Sequence, residues 1–167
     1  MINHCYSADL SRGGGVETYL KSLLNYQING VSDRIIASLT NIDQSRFKLL
    51  HLHGPECGEH LLGEIRGECP VIYTLHNHNI YCPSWTKYLS TSESCCDRKV
   101  SYLGCTWGHI VDGCGSRRPQ KILQNLQRAN WELATLKKLR IPIIANSNFV
   151  REQVIANGLP SEQVITL

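Results

Sequence analysis

The sequence has no long hydrophobic run: nowhere in its 167 residues does a stretch approach the roughly 18 apolar residues that a membrane-spanning helix needs. The first fifteen residues, MINHCYSADLSRGGG, lack a basic segment followed by an apolar one, so no secretory signal peptide is indicated. Internal repeats and low-complexity tracts are also missing. These absences argue against a membrane-spanning protein or a repeat array, and we expect a cytoplasmic protein with one globular domain over residues 1–167.

Two common phosphate-binding signatures are missing as well. The three glycines of SRGGGVETYLKSLL do not have the G-x-G-x-x-G spacing of a dinucleotide-binding domain, and no Gly-Lys-Ser/Thr of a P-loop follows them. Consecutive glycines cost backbone entropy unless the chain needs positive φ or close backbone approach. Gly13, Gly14 and Gly15 therefore indicate either a plain tight turn or a place where an anion approaches backbone N–H groups at a helix start.

Short apolar strands alternate with amphipathic helices along the chain. We predict helices after the glycines, over 59–66, from Pro119 onward, and between Ser147 and Gly158. We predict strands over 2–6, 34–39, 47–52, 71–75, 141–145 and 164–167. This alternation predicts an α/β, doubly wound, Rossmann-like domain whose mainly parallel sheet has about five to seven strands.

Cysteine is abundant, with eight residues, and in a reducing compartment these are expected to be free thiols or metal ligands. Segment 77–118 has little periodicity, and we predict that it is a loop-rich insertion. It holds five cysteines: Cys82, Cys95, Cys96, Cys105 and Cys114. The C-x-x-C pairs of zinc knuckles are missing. Even so, an insertion without an obvious apolar core gains folding energy from a metal.

We therefore expect one structural Zn²⁺ in this insertion. Its predicted ligands are Cys82, Cys105, Cys114 and one of Cys95 or Cys96, because adjacent side chains diverge and do not readily ligate one ion together. His109 is a substitute ligand. Free thiols and disulfides are the alternatives to a metal site.

Positive charge is concentrated in one segment although the net charge is only +3. Residues 117–140 contain seven basic side chains and one acidic one, Glu132. Such a segment can face an anionic partner, and a solvated helix face is the plainer interpretation. It agrees with peripheral contact at the inner membrane face, and also with a different class of protein: a non-enzymatic, zinc-stabilised module that binds nucleic acid or another polyanion. That alternative leaves the glycine turn and the sheet unexplained.

Three stretches taken in order, SRGGGVETYLKSLL, VIYTLHNHNIYCP and IIANSNFVREQVIANGLPSEQVITL, resemble the N-terminal domain of family-four glycosyltransferases. Those enzymes are retaining, use nucleotide-sugars and have the two-Rossmann-domain GT-B architecture. The shared features are a Gly-Gly-x-Glu helix start, a strand ending in Thr-x-His, and a strand ending in Asn-Ser before a helix. Some members also carry a cysteine-rich insertion that opens with Cys-Pro, as Cys82–Pro83 does here. The resemblance covers nearly the whole chain.

The resemblance implies a function and the residues that carry it. The chain would be the acceptor-side half of a glycosyltransferase that transfers a sugar from a nucleotide-sugar donor to a glycan or lipid-linked acceptor, with no nucleic-acid partner. Gly13, Gly14 and Gly15 would approach the donor diphosphate. His76 would lie beside the transferred sugar and orient it by hydrogen bonding, although it also fits a plain polar residue at a strand end. Where the family usually has an aspartate, Asn77 stands here, so no acid–base role is implied at that position.

In the resembled family the donor nucleotide is held mainly by a C-terminal domain. We expect the given sequence to comprise the N-terminal domain without that donor-binding domain, and the chain alone to be inactive.

Overall fold

A computed structural model describes residues 2–6, 10–25, 33–39, 41–54 and 59–167. The strands are β1 (Ile2–Cys5), β2 (Asp33–Ile36), β3 (Leu49–His53), β4 (Val71–Leu75), β5 (Tyr88–Leu89), β6 (Ser94–Cys95), β7 (Ile143–Ala145) and β8 (Val164–Thr166). The helices are α1 (Gly15–Asn25), α2 (Glu59–Glu64), α3 (Tyr102–Ile110), α4 (Pro119–Leu139) and α5 (Asn148–Ala156). Within these ranges no helix is both long and apolar enough to cross a membrane.

Six strands form one sheet in the order β2-β1-β3-β4-β7-β8, and every neighbouring pair is parallel. The predicted α/β fold with a mainly parallel sheet is therefore confirmed. The chain runs outward from β1 to β2 and then returns across β1 to β3, so the direction of winding reverses between β1 and β3. In open α/β sheets this reversal opens a crevice at the carboxyl ends of the strands.

The sheet is covered on both faces. Leu52 of β3 and Tyr73 of β4 are paired in register and point to one face, where the Tyr73 hydroxyl accepts a hydrogen bond from Asn79 at 3.5 Å. Asn79 also donates to Glu132 of α4 at 3.2 Å, which places α4 on that side. The opposite face lies under α1, whose Tyr19 ring contacts that of His53. The helices therefore sandwich the sheet, as a doubly wound fold requires.

Local sequence signals explain where several elements begin and end. Pro119 opens α4, as its fixed φ favours. The Ser147 hydroxyl accepts a hydrogen bond from the backbone N–H of Val150 and so caps α5. Gly158, just after α5, has a φ of +101°. These predicted boundaries are confirmed, and the strands differ from their predicted ranges by a few residues at the ends.

Segment 77–118 is more ordered than a loop-rich insertion. It contains the antiparallel pair β5–β6 and the nine-residue helix α3, whose start is capped by the Ser101 hydroxyl. Helix α3 escapes prediction because its inner face is made of small and polar residues, including Gly108 and His109, which are both buried. Its large apolar side chains, among them Leu103 and Trp107, are exposed. In α3 the large apolar residues therefore lie on the exposed face and the small and polar ones on the buried face, which is the reverse of the usual helix pattern.

Candidate functional site

The carboxyl ends of β1, β3 and β4 meet at one edge of the sheet, at the reversal of strand order. The glycine turn lies between β1 and the start of α1 at Gly15. His53 is the last residue of β3, and His76 directly follows β4. Tyr19 of α1 connects the two parts of the site, since its ring centroid lies 5.3 Å from that of His76. The structure therefore brings together the glycine turn and His76, which the sequence analysis selected separately.

Each of the three glycines has a different structural environment. Gly13 has a φ of +77°, a conformation that side chains rarely adopt. A Cβ added to Gly14 would lie 2.3 Å from the carboxylate of Glu17, which is buried and accepts a hydrogen bond from Tyr6 at 2.7 Å. Gly15 is exposed, and no described atom lies within 4 Å of a Cβ added there. Packing within the described chain thus explains Gly14, while the space beside Gly15 stays open at the N-terminus of α1.

A chain of hydrogen-bonded histidines runs from the site into the interior. His53 Nδ1 lies 3.1 Å from His76 Nε2, and His53 Nε2 lies 3.0 Å from His4 Nδ1. A neutral imidazole has one N–H donor and one lone pair, so His53 donates to one of these neighbours and accepts from the other. The tautomers of the three histidines are consequently linked.

A fourth imidazole, that of His51, lies on the same face of the sheet. His51 pairs in register with His4 of β1 and is two residues from His53 on β3, and side chains two apart on a strand share a face. His51 Nε2 lies 2.7 Å from the Thr74 hydroxyl. Its ring centroid is 4.0 Å from that of His53. The result is a buried, polar layer where a parallel sheet usually has aliphatic side chains.

Burial favours the neutral form of His51, His53 and His76. Desolvation, reinforced by neighbouring histidines, lowers the pKa of His51 to about 3 and that of His53 to about 2. Burial also lowers the pKa of His76 below its ordinary value. The layer therefore presents uncharged hydrogen-bonding nitrogens at neutral pH.

Neutral imidazoles are also metal ligands, and the structure allows that role here. One ring nitrogen from each of His4, His51 and His53 can be chosen so that all three lie within 4.8 Å of one another, and this group could hold a metal ion. Sequence reasoning missed these histidines. Two of them could have been recognised from the sequence, because the pattern His51-x-His53 in an apolar strand places both rings on one face of the sheet. His4 could be added only once the strand order was known.

The cysteines of segment 77–118 separate into two groups. Four of them line one cavity of about 20 Å³: Cys82, Cys96, Cys105 and Cys114. Cys95 is exposed and does not line that cavity. His109 does line it, and its Nδ1 lies 3.0 Å from the Ser116 carbonyl oxygen. The structure thus brings together the three cysteines predicted as ligands, with Cys96 rather than Cys95.

Comparison of the chain with protein-family models, with curated proteins and with solved structures finds no match. The geometry of the site is therefore the basis for a functional proposal.

Proposed function

We propose that this chain is the acceptor-side domain of a retaining glycosyltransferase, with the transferred sugar beside the glycine turn and His76. The observation that best supports the proposal is the position of the glycine turn and of His76 in the fold. The glycine turn follows β1 and His76 follows β4, on either side of β3, so both lie at the carboxyl edge of the sheet close to the point where the strand order reverses. Open α/β sheets bind their ligands at such a point.

The glycine turn suits the leaving group of such a reaction. Sugar transfer develops negative charge on the departing diphosphate, and the N-terminal backbone N–H groups of a helix stabilise an anion in a fixed orientation. No described atom lies within 4 Å of a Cβ added to Gly15, so a phosphate can approach the start of α1 beside this residue, while the Glu17 carboxylate lies beside Gly14. Glu17, the acidic residue in the first turn of α1, hydrogen-bonds to Tyr6.

His76 suits the sugar side of the same reaction. Its lowered pKa keeps the ring uncharged at neutral pH, so it can exchange a hydrogen bond with a sugar hydroxyl without placing a cation beside the developing positive charge of the sugar. Its bond to His53 fixes one ring nitrogen and leaves Nδ1 for a ligand. In this proposal His76 orients the substrate and does not act as a nucleophile.

The proposal includes partners that complete the reaction. The donor is a nucleotide-sugar held mainly by a second domain, and the acceptor is a glycan or a lipid-linked sugar. The chain alone would then lack turnover. A structural zinc ion in segment 77–118 would stabilise the fold, and nucleic acid has no part in the reaction.

A lipid-linked acceptor would agree with peripheral contact at the inner face of the cytoplasmic membrane. Helix α3 exposes Leu103, Trp107 and Ile110 at helical spacing, and the side chain of Leu103 is 89% exposed. Basic residues follow in sequence, and Arg117, Arg118 and Lys121 are all exposed. Apolar side chains that enter the headgroup region, together with nearby cations, are the features of an interfacial helix.

The proposal is tested with a protein that joins this chain to its donor-binding domain. A panel of nucleotide-sugars is screened for release of nucleoside diphosphate and for transfer to glycan and lipid-linked acceptors. We expect one donor to support transfer with retention of configuration at the anomeric carbon. His76→Ala should lower kcat by about 100-fold with little change in nucleotide affinity, because an orienting contact to the reacting sugar is lost.

His78→Ala is the matched control. His78 lies two residues from His76 but pairs with the Tyr81 hydroxyl and the ring of Phe149 instead of the histidine chain. We expect this variant to keep near-wild-type kcat. No turnover with any donor, combined with tight and salt-sensitive binding to nucleic acid, would instead favour the zinc-stabilised, polyanion-binding module.

A further inference from the structure

We propose that segment 77–118 is organised around one structural zinc ion bound by the thiolates of Cys82, Cys96, Cys105 and Cys114. This assignment does not depend on sugar transfer. It concerns a different part of the molecule from the strand ends that form the candidate site, and it selects a single set of four ligands.

The four cysteines come from four separate pieces of the insertion and converge on one space. Cys82 follows β4 and its loop, Cys96 follows β6, Cys105 lies on α3, and Cys114 follows α3. The cavity between them, about 20 Å³, is large enough for a single water-sized occupant. Four sulfur ligands around one small space are the donor set that zinc prefers in structural sites.

Hydrogen bonds hold the backbone of the ligand residues. The backbone N–H of Cys96 donates to the Lys87 carbonyl at 2.7 Å, and that of Cys114 donates to the Gly108 carbonyl at 3.1 Å. Cys105 is fixed in the first turn of α3 by a bond from its backbone N–H to the Ser101 carbonyl at 3.0 Å. These contacts place the cysteine side chains around the cavity before any metal binds.

Gly108 provides space for one of the sulfur atoms. A Cβ added to Gly108 would lie 3.1 Å from Cys114 Sγ and 3.2 Å from Arg98 Nη1, closer than ordinary packing allows. The sulfur of Cys114 can therefore lie against the backbone of α3 because residue 108 has no side chain. This requirement explains why an otherwise helix-weakening glycine lies within α3.

Two cations face the same cavity. Lys87 is only 3% exposed and donates from Nζ to the Arg98 carbonyl at 2.7 Å, and Arg98 bridges Asp112 at 2.6 Å. A four-thiolate zinc centre carries a net negative charge, so the buried ammonium group of Lys87 beside it would lower the energetic cost of burying that charge.

The four sulfur atoms are not yet at the spacing of ligands to one ion. Among described residues, the only group of three or more ligands with donor atoms all within 4.8 Å of one another is the histidine group, so the four thiols still have to close around an ion. Zinc would draw them together and release their protons, and its affinity should therefore rise with pH.

Three other candidates are less suitable as ligands. Cys95 belongs to β6, where successive side chains point to opposite sides, and it is exposed. His109 lines the cavity with its Nδ1 held by the Ser116 carbonyl and its Nε2 without a hydrogen-bond partner among the described residues, so it is the substitute for one thiolate that the test has to distinguish. The ring nitrogens that join His4 to His53 are already hydrogen-bonded to each other, so a metal there would have to break the histidine chain.

The role of this zinc is structural, because four thiolates leave no open position for water or substrate. The ion would hold together the four pieces of the insertion that carry the cysteines. It would also account for the orientation of α3, whose small residues and Cys105 face inward while its large apolar side chains face outward.

The test is metal analysis of the full chain, purified under reducing conditions. The wild type is compared with two variants, Cys95→Ser and Cys96→Ser, in which neighbouring cysteines are replaced. We expect about one zinc per chain in the wild type and in Cys95→Ser, and at least a tenfold loss of zinc affinity in Cys96→Ser. X-ray absorption of the wild-type zinc protein provides a readout that does not depend on how a variant folds. It should show four sulfur neighbours at about 2.3 Å.

The results that would contradict this ligand set each point to a different alternative. Nitrogen neighbours in the absorption spectrum, or loss of zinc in His109→Gln but not in Cys96→Ser, would replace one thiolate by His109. Loss of zinc in His51→Gln with full retention in Cys96→Ser would place the metal at the histidine group. Absence of zinc, with these thiols either freely titratable or paired as disulfides in the native protein, would overturn the proposal outright.

Discussion

At the residue scale, the histidine chain is the feature with the most physical consequences. His53 is fully buried, yet both of its nitrogens are hydrogen-bonded to other imidazoles. A second proton on this ring would remove the lone pair that accepts one of these bonds. The buried imidazoles therefore have to stay uncharged in the folded protein, and we expect the fold to be destabilised by acid.

We predict that stability falls as the pH decreases below about 6.5. The unfolded chain binds protons on His51 and His53 near pH 6.5, whereas the folded pKa values are about 3 and about 2, so each ring favours unfolding in this interval. Each should contribute a loss of about 2 kcal/mol between pH 7.5 and pH 5. Urea unfolding at pH 7.5 and at pH 5 measures this change in the free energy of unfolding. His51→Gln should show a shallower pH dependence, and an identical slope in both proteins would contradict the depressed pKa of His51.

A second prediction concerns the tautomer of His76. Because His53 Nδ1 bonds to His76 Nε2, the position of the proton on His76 is coupled to that on His53, and through His53 to the buried His4. Nitrogen-15 NMR of the wild-type chain should show one dominant tautomer for His76, and His53→Phe should produce a mixture. His51→Gln is the control, since the hydrogen bond of His51 is to Thr74. A mixture already present in the wild type would mean that the chain of bonds does not order the ring.

At the element scale, helix α3 distinguishes what a sequence pattern can and cannot reveal. The sheet strands and α4 were predictable because their buried residues are apolar and regularly spaced, as Leu126 and Leu136 are in α4. The inner face of α3 is built from glycine, cysteine and histidine, which carry no such signal. The choice between Cys95 and Cys96 was likewise open from the sequence, since only the structure shows that Cys96 lines the cavity and that Cys95 is exposed.

The exposed face of α3 leads to a prediction about lipid. We expect the chain to sediment with vesicles that contain phosphatidylglycerol at low salt, and less so at high salt, because exposed basic residues contribute about 1 kcal/mol each near an anionic surface. Trp107→Ala should weaken this binding by about tenfold, since a large apolar side chain no longer enters the interface.

Trp131→Ala is the control for this prediction. Trp131 is also exposed, but it belongs to α4 and not to the apolar stripe of α3. Equal losses in both variants would show that general surface hydrophobicity causes the binding. Binding that does not respond to salt, or no binding at all, would refute peripheral contact through this face.

At the scale of the whole molecule, the strand order assembles the candidate site. The glycine turn and His76 are about sixty residues apart in sequence, and they meet because β1, β3 and β4 are adjacent and parallel. The sequence predicted this class of sheet from the alternation of elements. It did not predict that His4 and His51 pair in register, because register follows from the packing of the whole sheet.

The central claim is that this edge of the sheet faces a transferred sugar and its diphosphate, and Gly15→Ala tests it most directly. No described atom lies within 4 Å of the added Cβ, and alanine is favourable in a helix, so the folded chain should be at least as stable as the wild type. In a protein that joins this chain to its donor-binding domain, the account predicts that the methyl group obstructs the diphosphate and lowers the rate of sugar transfer at least tenfold. Unchanged transfer in a stably folded Gly15→Ala protein would contradict it.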